Sequence, residues 1–479
     1  MEKEQILSLR ESLTVELKLA KDKVPDNIYE SYSALANTLG GWIYLGVEEK
    51  KPYNRIIGVS NPSNIIRDFT NTLSNKSKVS VNLLSPADIE AIDIDGKKII
   101  AIHVPQASSR VKPVFIKGNP FESFRRVGED GDVHMERNEI LSLLNDASNA
   151  RFDMSPNSLK YGYDDLCVDT IEAYRRLYQG IYPGATNAMD NSTFLMRIGA
   201  LKRLPTGEIV ATNAGLAVFG YASIIRDVFP YYKVDFYDVS HTETRWNYRI
   251  DDGDISWSGN VFDFYLRVTS YLSSVLPNAF ELRGFDNVSG QEALEAAREG
   301  VCNAIFNCDF MRHGGIKIVY DSGVLTIQNS GRIIVGLKQA LAGGDSRPRN
   351  EGIMLLFRVN RIGERSGLGI PRIFTIFQQQ KFDDPVLRET VDPDDYTTLV
   401  LPFHRKQAKS TNVEQSLLAL FQEEKELDSA SISLKLGISR TLVNKMLTKL
   451  LQQGLLVSNG MRTNGRKYRL RQPTDISEF

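Results

Sequence analysis

The residues best placed for chemistry by type and spacing crowd near the C-terminus. Arg440, Thr441, Asn444, Lys445, Thr448 and Lys449 recur at helical spacing, with Leu442, Val443, Met446, Leu447, Leu450 and Leu451 on the opposite face. A helix with one basic, hydrogen-bonding face and one apolar face suits phosphate contact, which dominates nucleic-acid affinity and makes it salt-dependent. Arg462 and Arg466 follow in a tip, Met461 to Arg466, between two strand-like runs. Residues 405–479 hold thirteen Lys or Arg against seven Asp or Glu, about +6, within a chain whose formal net charge is −1. Everything before them is therefore near −7, and near-neutrality is a sum of unlike parts.

Other chemistries find little support. The three cysteines, Cys167, Cys302 and Cys308, form no CxxC pair, which excludes a disulfide framework and a four-thiolate zinc site. The five histidines are scattered without ligand spacing. No G-x-x-x-x-G-K-[ST] occurs, and LAGGDSRPRN (Leu341 to Asn350) lacks the lysine, so a helicase motor is not expected. At 42% hydrophobic and 24% charged residues, the chain is neither a uniformly basic coat protein nor a disordered acidic chain. The start, MEKEQILSLRESL, lacks a signal-peptide core, and no apolar run approaches the roughly 18 residues of a membrane span. A cytoplasmic protein with no membrane partner is expected.

The length of 479 residues suggests about three domains, and an α+β multidomain chain emerges from the element patterns. Leu13, Val15, Leu17 and Leu19 alternate with Thr14, Glu16 and Lys18, which predicts a half-buried strand with Glu16 on the solvent face. A helix containing Ile28, Tyr32, Leu35 and Leu39 then stops at Gly40-Gly41. WIYLGV (Trp42 to Val47) reads as a buried strand with Arg55 to Val59 as its hairpin partner, Lys97 to Pro105 as a further strand, and Arg137 to Asn145 as a closing helix. Beyond 150, Thr212 to Gly220 and Tyr231 to Val239 are candidate elements. A long helix spans Glu292 to Asn307, and strands span Ile316 to Asp321 and Val324 to Asn329. Expected boundaries are 1–150, 151–404, a basic linker 405–411, and 412–479.

In the last segment an amphipathic helix covers Asn412 to Phe421. A short helix ends at Gly437, Ser439 caps a second helix running to Gly454, and two strands follow. That order resembles a winged helix-turn-helix, which implies a second helix in the DNA major groove and a homodimer on a two-fold site.

ESLTVELK (Glu11 to Lys18), SALANTLGGWIYLGVEE (Ser33 to Glu49), RIIGV, KPVFIKG (Lys112 to Gly118) and FRRVGED (Phe124 to Asp130) together resemble the Schlafen AlbA-like domain over nearly the first 150 residues. The resemblance implies nucleic-acid binding, with Lys112, Arg125 and Arg126 on phosphates. Some members cleave structured RNA with three acids, which match Glu11, Glu16 and Glu49. Such a trio would hold Mg²⁺ or Mn²⁺. Glu49 stands where Asp is usual.

REGVCNAIFNCDF (Arg298 to Phe310), IQNSG (Ile327 to Gly331) and ERSGLGIPRI (Glu364 to Ile373), in that order, resemble RecG-like, GHKL-type ATPase-related domains over about 160–402. A GHKL-like α/β sandwich is implied. It would bind ATP with Mg²⁺ through Asn303, Asn329, Gly331, Gly367 and Gly369, with Glu299 orienting water on the same helix face as Asn303. Asn329 occupies the place of the adenine-reading Asp. Together the three resemblances imply a bacterial DNA-binding transcriptional regulator whose middle domain binds ATP or another small molecule. The alternative is a Schlafen-like metal-dependent nuclease acting on RNA or DNA, as in phage defence.

Overall fold

The computed structural model describes residues 3–128, 131–148, 152–185, 188–240, 245–276, 289–344, 346–363, 367–391, 394–405, 417–418, 420–421, 426–452, 455–459 and 466–471. The chain divides into two compact units, Met1–His404 and Arg405–Phe479.

The first unit opens on a four-stranded sheet ordered Val15–Lys18, Gly41–Leu45, Lys97–Val104, Ile89–Ile94. The first pair is parallel and the others antiparallel. Helices Ile28–Asn37 and Pro62–Leu73 bury Tyr32, Leu35, Phe69 and Leu73 against Ile43, Leu45, Ile100 and Ile102. Ile6, Leu17, Tyr44 and Ile99 form a second small core. The first strand is shorter than its alternation predicts. Leu19 is 56% exposed, and Glu16, expected on the solvent face, is buried. The glycine pair carries the chain from helix to strand through a tight gap. A Cβ on Gly40 would lie 2.7 Å from Val104 O, and one on Gly41 2.2 Å from Thr14 O.

A six-stranded sheet follows, ordered Tyr248–Asp251, Val234–Asp238, Ile316–Asp321, Val324–Ser330, Tyr396–Pro402, Val386–Thr390. Its one parallel pair joins Val234–Asp238 to Ile316–Asp321. Along Ile316–Asp321 burial alternates, so Ile316, Ile318 and Tyr320 face a core while Lys317 and Asp321 face solvent. Helix Ser289–Asn307 packs Ala297, Val301 and Ile305 into that core, joined by Phe357 of helix Glu351–Val359 and Phe377 of helix Gly369–Gln380. The segment Thr212–Gly220 contains a wholly buried helix, Asn213–Phe219, with the Thr212 hydroxyl accepting from Gly215 N.

No contact boundary separates the two sheets at residue 150, because buried polar pairs cross between them. Arg349 is paired to Asp146 at 2.8 Å, Arg312 pairs with Glu139, and Arg332 donates to Thr38 O at 2.7 Å.

The second unit holds helix Ser429–Leu436, helix Arg440–Gln452, and a three-stranded antiparallel sheet ordered Leu427–Asp428, Lys467–Leu470, Leu456–Ser458. Gly437 ends the first helix in the left-handed region, and the Ser439 hydroxyl accepts from Leu442 N. Leu417, Ile432, Val443, Leu447, Leu450, Leu456 and Tyr468 make its core. Most of the expected 412–421 helix and of the 405–411 linker lies outside the described residues.

Candidate functional site

Three candidate sites were expected, and the structure treats them differently. In the N-terminal module, Glu11, Glu16 and Glu49 do come together. Glu11 N donates to Glu49 Oε1 at 3.3 Å, and Leu17 N donates to Glu11 Oε1 at 3.2 Å. Partial burial, then the like charges of Glu16 and Glu49, push the Glu11 carboxyl above its usual range.

The acids are not left for a metal. Arg126, almost wholly buried, places Nη1 2.5 Å from Glu16 Oε2 and 2.8 Å from Asp132 Oδ1. Its Nε and Nη2 donate to the carbonyls of Ser12 and Val15. Lys18 Nζ lies 2.7 Å from Glu16 Oε1, which also accepts from the Ser31 hydroxyl. Glu16 thus lies between two cations, with Oε1 also accepting from Ser31 while Oε2 accepts no hydrogen bond. Among the described residues, no group of three or more His, Cys, Asp or Glu is placed to hold a metal ion. As placed, the trio does not fit the expected Mg²⁺ or Mn²⁺, because its buried member, Glu16, is already engaged by Arg126 and Lys18.

The same geometry corrects the expected phosphate contacts. Arg126 is inside, Lys112 is buried with its ammonium donating to Asn37 O, and Arg125 is half-buried against Glu139 at 3.5 Å. All three serve the interior. Asp132 and Ser31, which complete the Arg126 cluster, escaped notice in the sequence. Arg126 and Asp132 flank one tight hairpin, Phe124–Val127 with Gly131–His134, and that spacing was the available signal.

In the middle module, Glu299, Asn303, Asn329, Gly367 and Gly369 line one cavity. Asn303 Nδ2 donates to Glu299 Oε1 at 3.0 Å. The cavity encloses about 90 Å³, below the roughly 300–1,000 Å³ of small-molecule sites. Glu299 also presses on the start of helix Gly369–Gln380, where a Cβ on Gly369 would lie 1.9 Å from its Oε1. A helix N-terminus favours an anion, and here the protein's own carboxylate sits beside it. Among the described residues, this space is smaller than ATP with Mg²⁺ requires. Gly331 does not line the cavity either. It packs under Arg349, whose Nη1 would be 2.7 Å from an added Cβ.

In the C-terminal unit, helix Arg440–Gln452 exposes Arg440, Thr441, Asn444, Lys445, Thr448 and Lys449 while Val443, Met446, Leu447 and Leu450 are buried. Leu442, expected on the apolar face, is instead 43% exposed. Arg466 stacks its guanidinium 5.4 Å from the Tyr468 ring, and Arg462 lies outside the described residues.

Comparison with known proteins places a Schlafen AlbA_2 family model on residues 11–135, so this segment is an AlbA-like domain. A domain family of unknown function, DUF8451, matches residues 141–235. No curated protein matches the chain. Among solved structures, the DIP2311 protein of Corynebacterium diphtheriae aligns with 96% of this chain and 92% of its own, at 16% identity and a TM-score of 0.42. The N-terminal domain of a RecG-related protein from Nitrosomonas europaea aligns with 27% of this chain and 85% of its own, at 25% identity and a TM-score of 0.20. Among the described residues, no helix is long and apolar enough to cross a membrane.

Proposed function

We propose that this protein is a DNA-binding transcriptional regulator whose C-terminal unit is a winged helix-turn-helix. The carrying observation is the face of helix Arg440–Gln452. Two arginine or lysine side chains at its start, Arg440 and Lys445, stand in solvent with Thr441 and Asn444 between them, over a buried apolar stripe. Side chains at the start of the second helix are those that meet base edges in this motif, while cations along it meet phosphates. The turn before it, Gly437 to Ser439, and the antiparallel strands after it support that reading. The AlbA_2 match supports a nucleic-acid-related function. A homodimer on a two-fold site, with half-sites about 34 Å apart, follows from the same motif.

The test is a mobility shift on fragments of the source genome with the full-length protein. The Arg440→Ala, Lys445→Ala double variant loses at least about tenfold in affinity, since a base or phosphate contact contributes roughly 1–3 kcal/mol. Unchanged affinity would discard the reading. Cleavage of RNA or DNA with Mn²⁺, abolished by Glu16→Gln, would replace it with the nuclease.

A further inference from the structure

A cavity of about 400 Å³ lies inside the first unit, between the AlbA-like module and the six-stranded sheet. Its walls carry an uneven set of charges. Arg312 is paired with Glu139 and Asp395, Arg125 shares Glu139, and Arg332 faces Glu389 at 3.5 Å. Lys112 is different. Its ammonium donates to the carbonyl of Asn37, and among the described residues no carboxylate lies within ion-pairing distance of it. Two further N–H bonds remain to be given, in a group only 8% exposed.

We propose that this cavity, which Arg125 and Arg332 also line, binds a small phosphate-bearing molecule whose anion is received by Lys112. A buried charge is normally paired, and removing a partner from such a pair is strongly unfavourable. The four other charges nearest in effect to Lys112 are Arg332 and Arg312, which repel its proton, and Asp395 and Glu389, which attract it. Each carboxylate is already engaged by one of those arginines, so the surplus is positive. Burial, first, and then Arg332 push the Lys112 ammonium down to about 7. A phosphate, with oxygens on several sides, can meet an ammonium and two guanidinium groups at once. A duplex cannot follow, because Lys112 lies beneath the surface in a cavity of small-molecule size. The site shares no residue with helix Arg440–Gln452, and its existence does not depend on the DNA reading.

The experiment is calorimetric titration of the full chain with inorganic pyrophosphate, ATP and a 5′-phosphorylated single strand. Pyrophosphate or ATP binds, Lys112→Met weakens that binding at least tenfold, and Arg125→Gln weakens it several-fold. Binding also takes up protons at pH 8, read as a heat that varies with the buffer's ionisation enthalpy. If Lys112→Met does not fold, the Arg125→Gln result and the proton uptake decide. No binding of either small probe, binding unchanged by the substitutions, or binding of the single strand alone would overturn the proposal. DNA affinity of Lys112→Met stays at the unsubstituted level, so failure here is separable from failure of the regulator reading.

Discussion

The N-terminal and C-terminal modules both present arginines and lysines that look alike in sequence, and the structure gives them opposite fates. Arg126 and Lys112 lie inside, held by carboxylates or carbonyls. Arg440 and Lys445 stand in solvent on a helix whose other face is core. The difference is what surrounds the charge. Glu16, Asp132 and two backbone carbonyls converge on Arg126, and a cation so fixed is a structural element. Among the described residues, the charge that acts on Arg440 from nearby is Asp428, at the cap of the preceding helix. Charge counts cannot make this distinction; burial does.

The contrast should be sharpest in stability. Arg126→Ala leaves Asp132 without its cation and Glu16 with Lys18 alone, and urea unfolding should show a loss of about 3–5 kcal/mol. Arg440→Ala with Lys445→Ala should leave the thermal midpoint within about 2 °C, because exposed substitutions cost little. An Arg126 variant as stable as the parent would break the comparison at its stronger end.

Legibility in the sequence follows the same division. Helix and strand positions were readable wherever one face is buried, as in Ile316–Asp321 and Arg440–Gln452, because periodicity records burial on one side. Glu16 was misread for the same reason. Its alternation with Val15 and Leu17 promises a solvent face, while its partner Arg126 lies on a hairpin 110 residues on. The convergence of Glu11, Glu16 and Glu49 follows from family resemblance, while the pairing of Glu16 with Lys18 and Arg126 does not. The middle cavity was legible as a set of residues, not as a volume, because the approach of Glu299 to Gly369 joins two helices distant in the chain.

A smaller effect is expected in pH dependence. Lys112 has a folded value near 7, below the usual 10.5, so the unfolded chain holds this proton more tightly. The penalty for charging it is complete below about pH 7 and fades as the pH rises toward 10.5. Thermal midpoints should therefore gain from this group across that window, and Lys112→Met should remove the gain. A midpoint profile identical in parent and variant would show that Lys112 is not desolvated. Smallest of all, Arg125→Gln should leave DNA affinity unchanged, since its guanidinium is turned toward Glu139.

The central claim is that contact with the DNA backbone belongs to the C-terminal helix and not to the buried N-terminal cations. It is tested most directly by the slope of log affinity for DNA against log salt concentration. Each lost phosphate contact should reduce the magnitude of that slope by about 0.9. The account predicts a fall of about 2 for Arg440→Ala with Lys445→Ala and none for Arg125→Gln. A slope unmoved by the first and reduced by the second would contradict it.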